Sequence, residues 1–126
     1  MGIKIIRNIS VGVDIESIGR FSNLNGNKDK SFFDKVYTKS ELDYCYSKKN
    51  GAQHLAGRYC AKEAITKALC ALGRVDLMYR DIEITNSERG VPEVDILKKG
   101  FDDLEISVSI SHCEDKAIAT AVIYIK

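Results

Sequence analysis

The stretch AGRYCAKEAITKAL, residues 56–69, is rich in alanine yet carries Arg58, Lys62, Glu63 and Lys67 among residues built to pack. Extended to both sides, its pattern predicts a helix from Gln53 to about Leu72, ended by Gly73. At ~100° per residue, measured from Ile65, the residues Ala61, Ala64, Ala68, Leu69 and Leu72 fall in an arc roughly 140° wide, which is the core face. Glu63 and Lys67 fall near the opposite pole, beside Thr66, Tyr59 and Cys70, so their own core does not cover them. As an i,i+4 pair in the favourable order they contribute ~0.2–0.5 kcal/mol to a helix. They either dress a solvated face or converge on something outside it. Arg58 lies near ~20°, over the core side at the first turns, and its guanidinium has to reach past the helix end to water or an anion.

Around this helix the chain reads as short elements. ISVGVDI, residues 9–15, alternates Ile9, Val11, Val13 and Ile15 with Ser10, Gly12 and Asp14, the period of a half-buried strand. The apolar set is taken as the core side, which puts Asp14 on the side away from the core. Residues 22–31, SNLNGNKDKS, form a polar loop. Thr38 and Glu41 have capping-box spacing, so a helix starts there and runs toward the break at Asn50-Gly51. Further strands are predicted at 81–85, 93–96, 106–110 and 117–125, with a turn over 86–90 and Pro92 at a strand start or edge. One front strand, then helices, then strands predicts an α+β fold with an antiparallel sheet packed against one long helix.

The totals exclude several classes. The chain has 126 residues, room for one domain spanning 1–126. With 19 basic against 18 acidic side chains it lacks the overall field of a nonspecific nucleic-acid binder, and no nucleic-acid partner is expected. Nothing approaches the ~20 apolar residues of a membrane span, and the N-terminus reads neither as a secretion signal nor as a myristoylation site. Cys45, Cys60, Cys70 and Cys113 form no CxxC pair and read as reduced thiols of a cytoplasmic protein.

Three charged or polar positions remain open on this reading. Asp14 is either an exposed strand residue or, together with Glu63, half of a site for a hard cation, since Mg²⁺ commonly takes one or two carboxylates plus phosphate oxygens. His112, closing SISH at 109–112, is a plain turn histidine, a phosphate or hydroxyl ligand, or a base; no GxSxG elbow accompanies it. His54 is read as surface.

Taken together, VGVDIESIGRF at 11–21, LAGRYCAKEAITKAL at 55–69 and VSISHCEDKAIATAVI at 108–123 resemble the holo-acyl-carrier-protein synthase family of 4′-phosphopantetheinyl transferases. The likeness covers nearly the whole chain, and three motifs in register are specific where each alone is weak. It implies the phosphopantetheinyl transferase fold and transfer of the phosphopantetheine arm from coenzyme A to a serine of an acyl carrier protein. It also implies Mg²⁺ dependence and a homotrimer with the site between subunits. By motif position, Asp14 and Glu63 are implied as magnesium ligands and Lys67 as a phosphate-holding cation, these three making up the catalytic set. Arg58, Lys67, His112, Gly90 and Pro92 are implied at the coenzyme A site. Arg20 is implied to meet the acidic carrier protein, with Lys28, Lys30, Lys35 and Lys39 as support.

Two stretches depart from the family pattern. LCALGRVDL at 69–77 stands where a glycine-rich turn of the type FGTGI is usual, and Arg89-Gly90-Val91-Pro92 stands for N-G-K-P. Two rival readings use the same residues: a magnesium-dependent phosphoesterase, which would release free phosphopantetheine, and a noncatalytic module that binds coenzyme A or carrier protein without turnover.

Overall fold

The computed structural model describes residues 8–126, so the reading of residues 1–7 for targeting signals lies outside the described residues. In chain order the elements are β1 (Ile9–Ser17), α1 (Ile18–Ser22), α2 (Lys30–Val36), α3 (Lys39–Tyr46), α4 (Gly51–Ala71), a 3-10 turn (Tyr79–Asp81), β2 (Ile82–Asn86), β3 (Pro92–Ile96), β4 (Leu104–Cys113) and β5 (Lys116–Ile125). The expected α+β class and antiparallel pairing hold. The strands divide into a three-stranded sheet, β1-β5-β4, and a separate hairpin of β2 and β3. Pro92 opens β3, where its missing N–H costs the ladder least. β4 continues past His112 to Cys113, so His112 is a strand residue rather than a turn residue.

The long helix α4 lies across the three-stranded sheet. It ends as the sequence predicts: Gly73 takes φ +76°, its N–H bonds the Cys70 carbonyl at 3.0 Å, and Arg74 N–H bonds the Leu69 carbonyl at 2.9 Å. This is the left-handed glycine closure that satisfies the last carbonyls of a helix. The buried face is wider than the predicted arc. It includes Ala61, Ala64, Ile65, Ala68 and Leu69, and also Cys60, Arg58 and Lys62.

The polarity of β1 is opposite to the expectation. Ile9, Val11, Val13 and Ile15 point outward and are 53–65% exposed, while Ser10 and Gly12 are buried against α4, and Asp14 and Glu16 follow on that same inner side. The gap between sheet and helix explains the reversal. β5 lines it with Ala117, Ala119 and Ala121, and α4 with Ala61, Ala64 and Ala68, all buried. Helix and sheet therefore approach closely, and a Cβ at Gly12 would lie 2.0 Å from the Ala64 carbonyl oxygen. Isoleucine and valine do not fit there, so the small and polar residues take the inner positions. Ser10 Oγ donates to the Ala68 carbonyl at 2.7 Å.

The Thr38–Glu41 capping box is present, with Glu41 N–H donating to Thr38 Oγ1 at 3.3 Å and Thr38 N–H to Glu41 Oε1 at 2.8 Å. Glu41 has a second task. Its Oε1 accepts from Lys62 Nζ at 2.6 Å and its Oε2 from the Ile84 N–H at 2.8 Å. Lys62 also donates to the Val36 and Tyr79 carbonyls at 2.6 and 3.0 Å. Both charged side chains are wholly buried. This hub ties α2, α3, α4, the 3-10 turn and β2 together, and the 3-10 turn carries Tyr79 toward the site described next.

Candidate active site

β1 and α4 bring acidic and basic groups together on the inner side of the sheet. Asp14 has a side chain 11% exposed; its Oδ1 accepts from Lys67 Nζ at 3.3 Å, and Lys67 also donates to the Val13 carbonyl at 3.0 Å. Asp14 Oδ2 is buried without a hydrogen-bond partner among the described residues. Glu16 stands two residues on, on the same strand face, and its Oε1 accepts from Arg20 Nη1 at 3.0 Å. Burial first, then the neighbouring Asp14 carboxylate, push the Glu16 carboxyl up from its ordinary value.

Glu63 is half-buried on α4, one helical turn before Lys67 and one after Tyr59. Tyr59 and Tyr79 pack ring to ring, with centroids 5.9 Å apart. Burial raises both phenols, and the Glu63 carboxylate beside them raises them further. Asp14 is a further, smaller charge acting on Tyr79. Burial and then Asp14 also push the Cys60 thiol up to about 12, which makes it inert packing.

The donor set fits a hard cation. Asp14 and Glu63 offer oxygen only, and one Asp14 oxygen is buried without a partner. Among the described residues no three His, Cys, Asp or Glu side chains gather closely enough to hold a metal by themselves. Two carboxylates, with phosphate oxygens of a ligand completing the set, match the way Mg²⁺ is commonly bound.

A second feature is a cleft of about 250 Å³ between α4, β4 and the β2–β3 hairpin. Gln53, His54, Arg58, Gly90, Pro92 and His112 are among its lining residues. Arg58 does not extend past the helix end: it is 4% exposed, its Nη2 donates to Asn86 Oδ1 at 2.7 Å, its guanidinium lies 4.3 Å from the Tyr44 ring centroid, and its Nε has no partner. His112 Nε2 is 2.9 Å from Gln53 Nε2. No carboxylate lines the cleft among the described residues. A buried arginine with an unused N–H, in a cleft without acids, is suited to an anion.

Of the five residues expected at the coenzyme A site, Arg58, His112, Gly90 and Pro92 meet in this cleft, whereas Lys67 sits apart from them beside Asp14. His54 is less exposed than a plain surface residue. It is half-buried on the cleft wall and packs edge-on against Tyr44, with centroids 5.4 Å apart. Arg20, half exposed on α1, lies 5.1 Å from the Tyr59 ring centroid. Lys30 and Lys39 pair with Asp34 and Asp43 on their own helices. Sequence reasoning missed Glu16, Tyr79, Gln53 and Asn86. For Glu16 a signal was available, since it shares the strand face of Asp14 at i+2.

Residues 10–122 match the model of a family described as the 4′-phosphopantetheinyl transferase superfamily. The chain belongs to that superfamily. A holo-[acyl-carrier-protein] synthase of Chlorobaculum parvum is 39% identical to this transferase over 115 residues, which are 91% of this chain and 97% of that one. The solved holo-[acyl-carrier-protein] synthase of Helicobacter pylori, in complex with coenzyme A, superposes with a TM-score of 0.74 at 30% identity, covering 92% and 99% of the two chains. The ACPS–CoA complex of Chronobacterium ammoniagenes gives 0.77 at 26% identity, covering 94% and 98%. These likenesses extend over the elements that carry both the Asp14 centre and the Arg58 cleft. No described helix of the transferase is long and apolar enough to cross a membrane.

Proposed function

We propose that this chain is a holo-acyl-carrier-protein synthase, one transferase domain over residues 1–126, acting in the cytoplasm. It moves 4′-phosphopantetheine from coenzyme A to a serine hydroxyl of an apo acyl carrier protein and leaves adenosine 3′,5′-bisphosphate. The observation that carries this reading is the unpartnered Asp14 oxygen, set beside the ammonium of Lys67 one turn after Glu63. In the reaction the serine oxygen forms a bond to the β-phosphorus while the bond from that phosphorus to the oxygen bridging it to the α-phosphorus breaks. The electron pair leaves on the adenosine bisphosphate oxygen, and the serine proton passes to Glu63, directly or through water. Negative charge spreads over the phosphate oxygens, and the protein's task is mainly to position them and offset that charge.

Asp14 and Glu63 are the residues that would hold Mg²⁺. When bound, the ion supplies charge compensation for the diphosphate. Lys67 adds a compact positive charge at the same oxygens. Tyr59 and Tyr79 flank Glu63 and limit where its carboxylate points. Arg58 and His112, with the backbone around Gly90 and Pro92, take the nucleotide end. Arg20, on the exposed helix beside this centre, meets the acidic carrier protein.

The working unit in this reading is a homotrimer, with the cleft of one protomer facing the Asp14 centre of the next. Its support is the outer face of the three-stranded sheet. Ile9, Val11, Val13 and Ile15 on β1 pair in register with Tyr124, Val122, Thr120 and Ile118 on β5, which leaves a broad exposed apolar surface. Soluble monomers rarely leave a contiguous apolar area of this kind uncovered.

Intact mass spectrometry tests the reading. Apo acyl carrier protein mixed with this chain, coenzyme A and Mg²⁺ is expected to gain the mass of one 4′-phosphopantetheine, and a chelator is expected to stop the gain. No gain on several carrier proteins overturns it. Free phosphopantetheine formed without carrier protein would make the chain a hydrolase instead.

A further inference from the structure

The rim of the cleft holds more positive charge than Arg58 alone. Tyr44 is its platform: the Arg58 guanidinium lies 4.3 Å from the ring centroid, the Lys48 ammonium 4.9 Å, and the His54 ring stands edge-on at 5.4 Å and 89°. His54 and Arg58 are one helical turn apart on α4, and both line the cleft. The titratable and charged groups facing His54 are Tyr44 on α3, Lys48 just after it, Arg58 on α4 and His112 on β4. Lys48 and Arg58 are cations, and no carboxylate is among these groups. The Nε of Arg58 is buried without a partner among the described residues.

We infer that His54 is a further specificity residue of the cleft, donating a hydrogen bond to the terminal phosphate monoester of the nucleotide and taking up a proton from solvent as that phosphate enters. The inference rests on the reading that this cleft receives the nucleotide end of coenzyme A. In the free protein, burial first and then Arg58, Lys48 and His112 hold the His54 imidazole below its ordinary pKa, so it is neutral at pH 7. A phosphate dianion reverses the sign of the local field and favours imidazolium. Binding therefore gains a proton, and by linkage affinity rises as pH falls from 8 toward 6.5. Dephosphorylated coenzyme A, which has no terminal monoester, lacks this dependence.

Titration calorimetry of the full chain in two buffers of different ionisation enthalpy reads proton uptake directly. Coenzyme A and dephospho-coenzyme A are the probes, at pH 6.5 and pH 8, with wild type, His54→Gln and Arg58→Ala. The expected result is net uptake with coenzyme A that is reduced in His54→Gln. Affinity of that variant for coenzyme A at pH 6.5 is expected to fall by about fivefold, the size of one charge-assisted hydrogen bond at a partly solvated site. Dephospho-coenzyme A binding should change less than twofold, a margin of roughly 0.4 kcal/mol. Undiminished uptake in His54→Gln, or an equal loss for both probes, overturns the inference. If His54→Gln binds like wild type while Arg58→Ala weakens coenzyme A, only the role of His54 fails. If wild type binds neither probe, the inference fails together with the reading beneath it.

Discussion

Asp14 is the residue in which the chemistry is most concentrated: one carboxylate oxygen is held by Lys67 and the other is buried without a partner. A group left this way is costly unless a ligand completes it. Asp14→Asn and Glu63→Gln keep shape and remove the charge, so each is expected to lower transfer by about a thousandfold with an unchanged circular dichroism spectrum. Near-normal turnover by either variant, in the same mass assay, would remove the cation from the proposal. Asp14 and Glu63 were legible in the sequence as candidates, one as an acid inside a strand and the other as an acid on the uncovered pole of a helix, whereas the role of Lys67 came only from family likeness. The side of the strand was not. Alternation says which residues share a face, and an apolar face looks the same whether its own helix or another chain covers it. His54 was misjudged because its cover is Tyr44, ten residues earlier on a different helix.

At the scale of elements, α4 was legible almost to its ends, because alanine content, the apolar period and Gly73 all agree. Its wheel also held the clue to Lys62, which falls near ~60°, just outside the predicted core arc. What no wheel supplies is the partner. Glu41 comes from the cap of α3, and the same carboxylate that closes that cap receives the buried ammonium and the Ile84 N–H. Burial draws the Lys62 ammonium below its ordinary pKa, and Glu41 opposes the shift. Lys62→Met leaves Glu41 charged and buried, which costs about 3–5 kcal/mol. Urea unfolding at matched chain concentration should show that loss, and adding Glu41→Gln should recover part of it. Equal stability of wild type and Lys62→Met would mean that the hub is not cooperative. Through the bond from Lys62 to the Tyr79 carbonyl, the same lesion is expected to disturb the phenol that flanks Glu63.

For the whole molecule, the outward apolar side of β1 is the feature that the single chain leaves unexplained. Val11→Lys combined with Val13→Lys places two like charges on a surface that the proposed trimer covers. Sedimentation equilibrium is expected to give about three times the 14.1 kDa of one chain for wild type and one chain mass for the double variant. Transfer activity should fall with the assembly. A wild-type protein that sediments as a monomer while fully active would confine the site to one protomer. The class of fold followed from element order, and the trimer was suggested only by family likeness. The split into a three-stranded sheet and a separate hairpin was hidden, because strand periodicity carries no record of which strands pair.

β1 thus assigns its residues by parity. Even positions from 10 to 16 meet the helix of their own chain, and odd positions from 9 to 15 look outward. Inherited lesions in this strand would therefore sort by position. A bulky change at Ser10 or Gly12 strikes the solitary fold and invites degradation, and one at Asp14 spares the fold and silences the chemistry. An odd-numbered one, in the proposed trimer, yields a sound but unassociated polypeptide that persists without its neighbours.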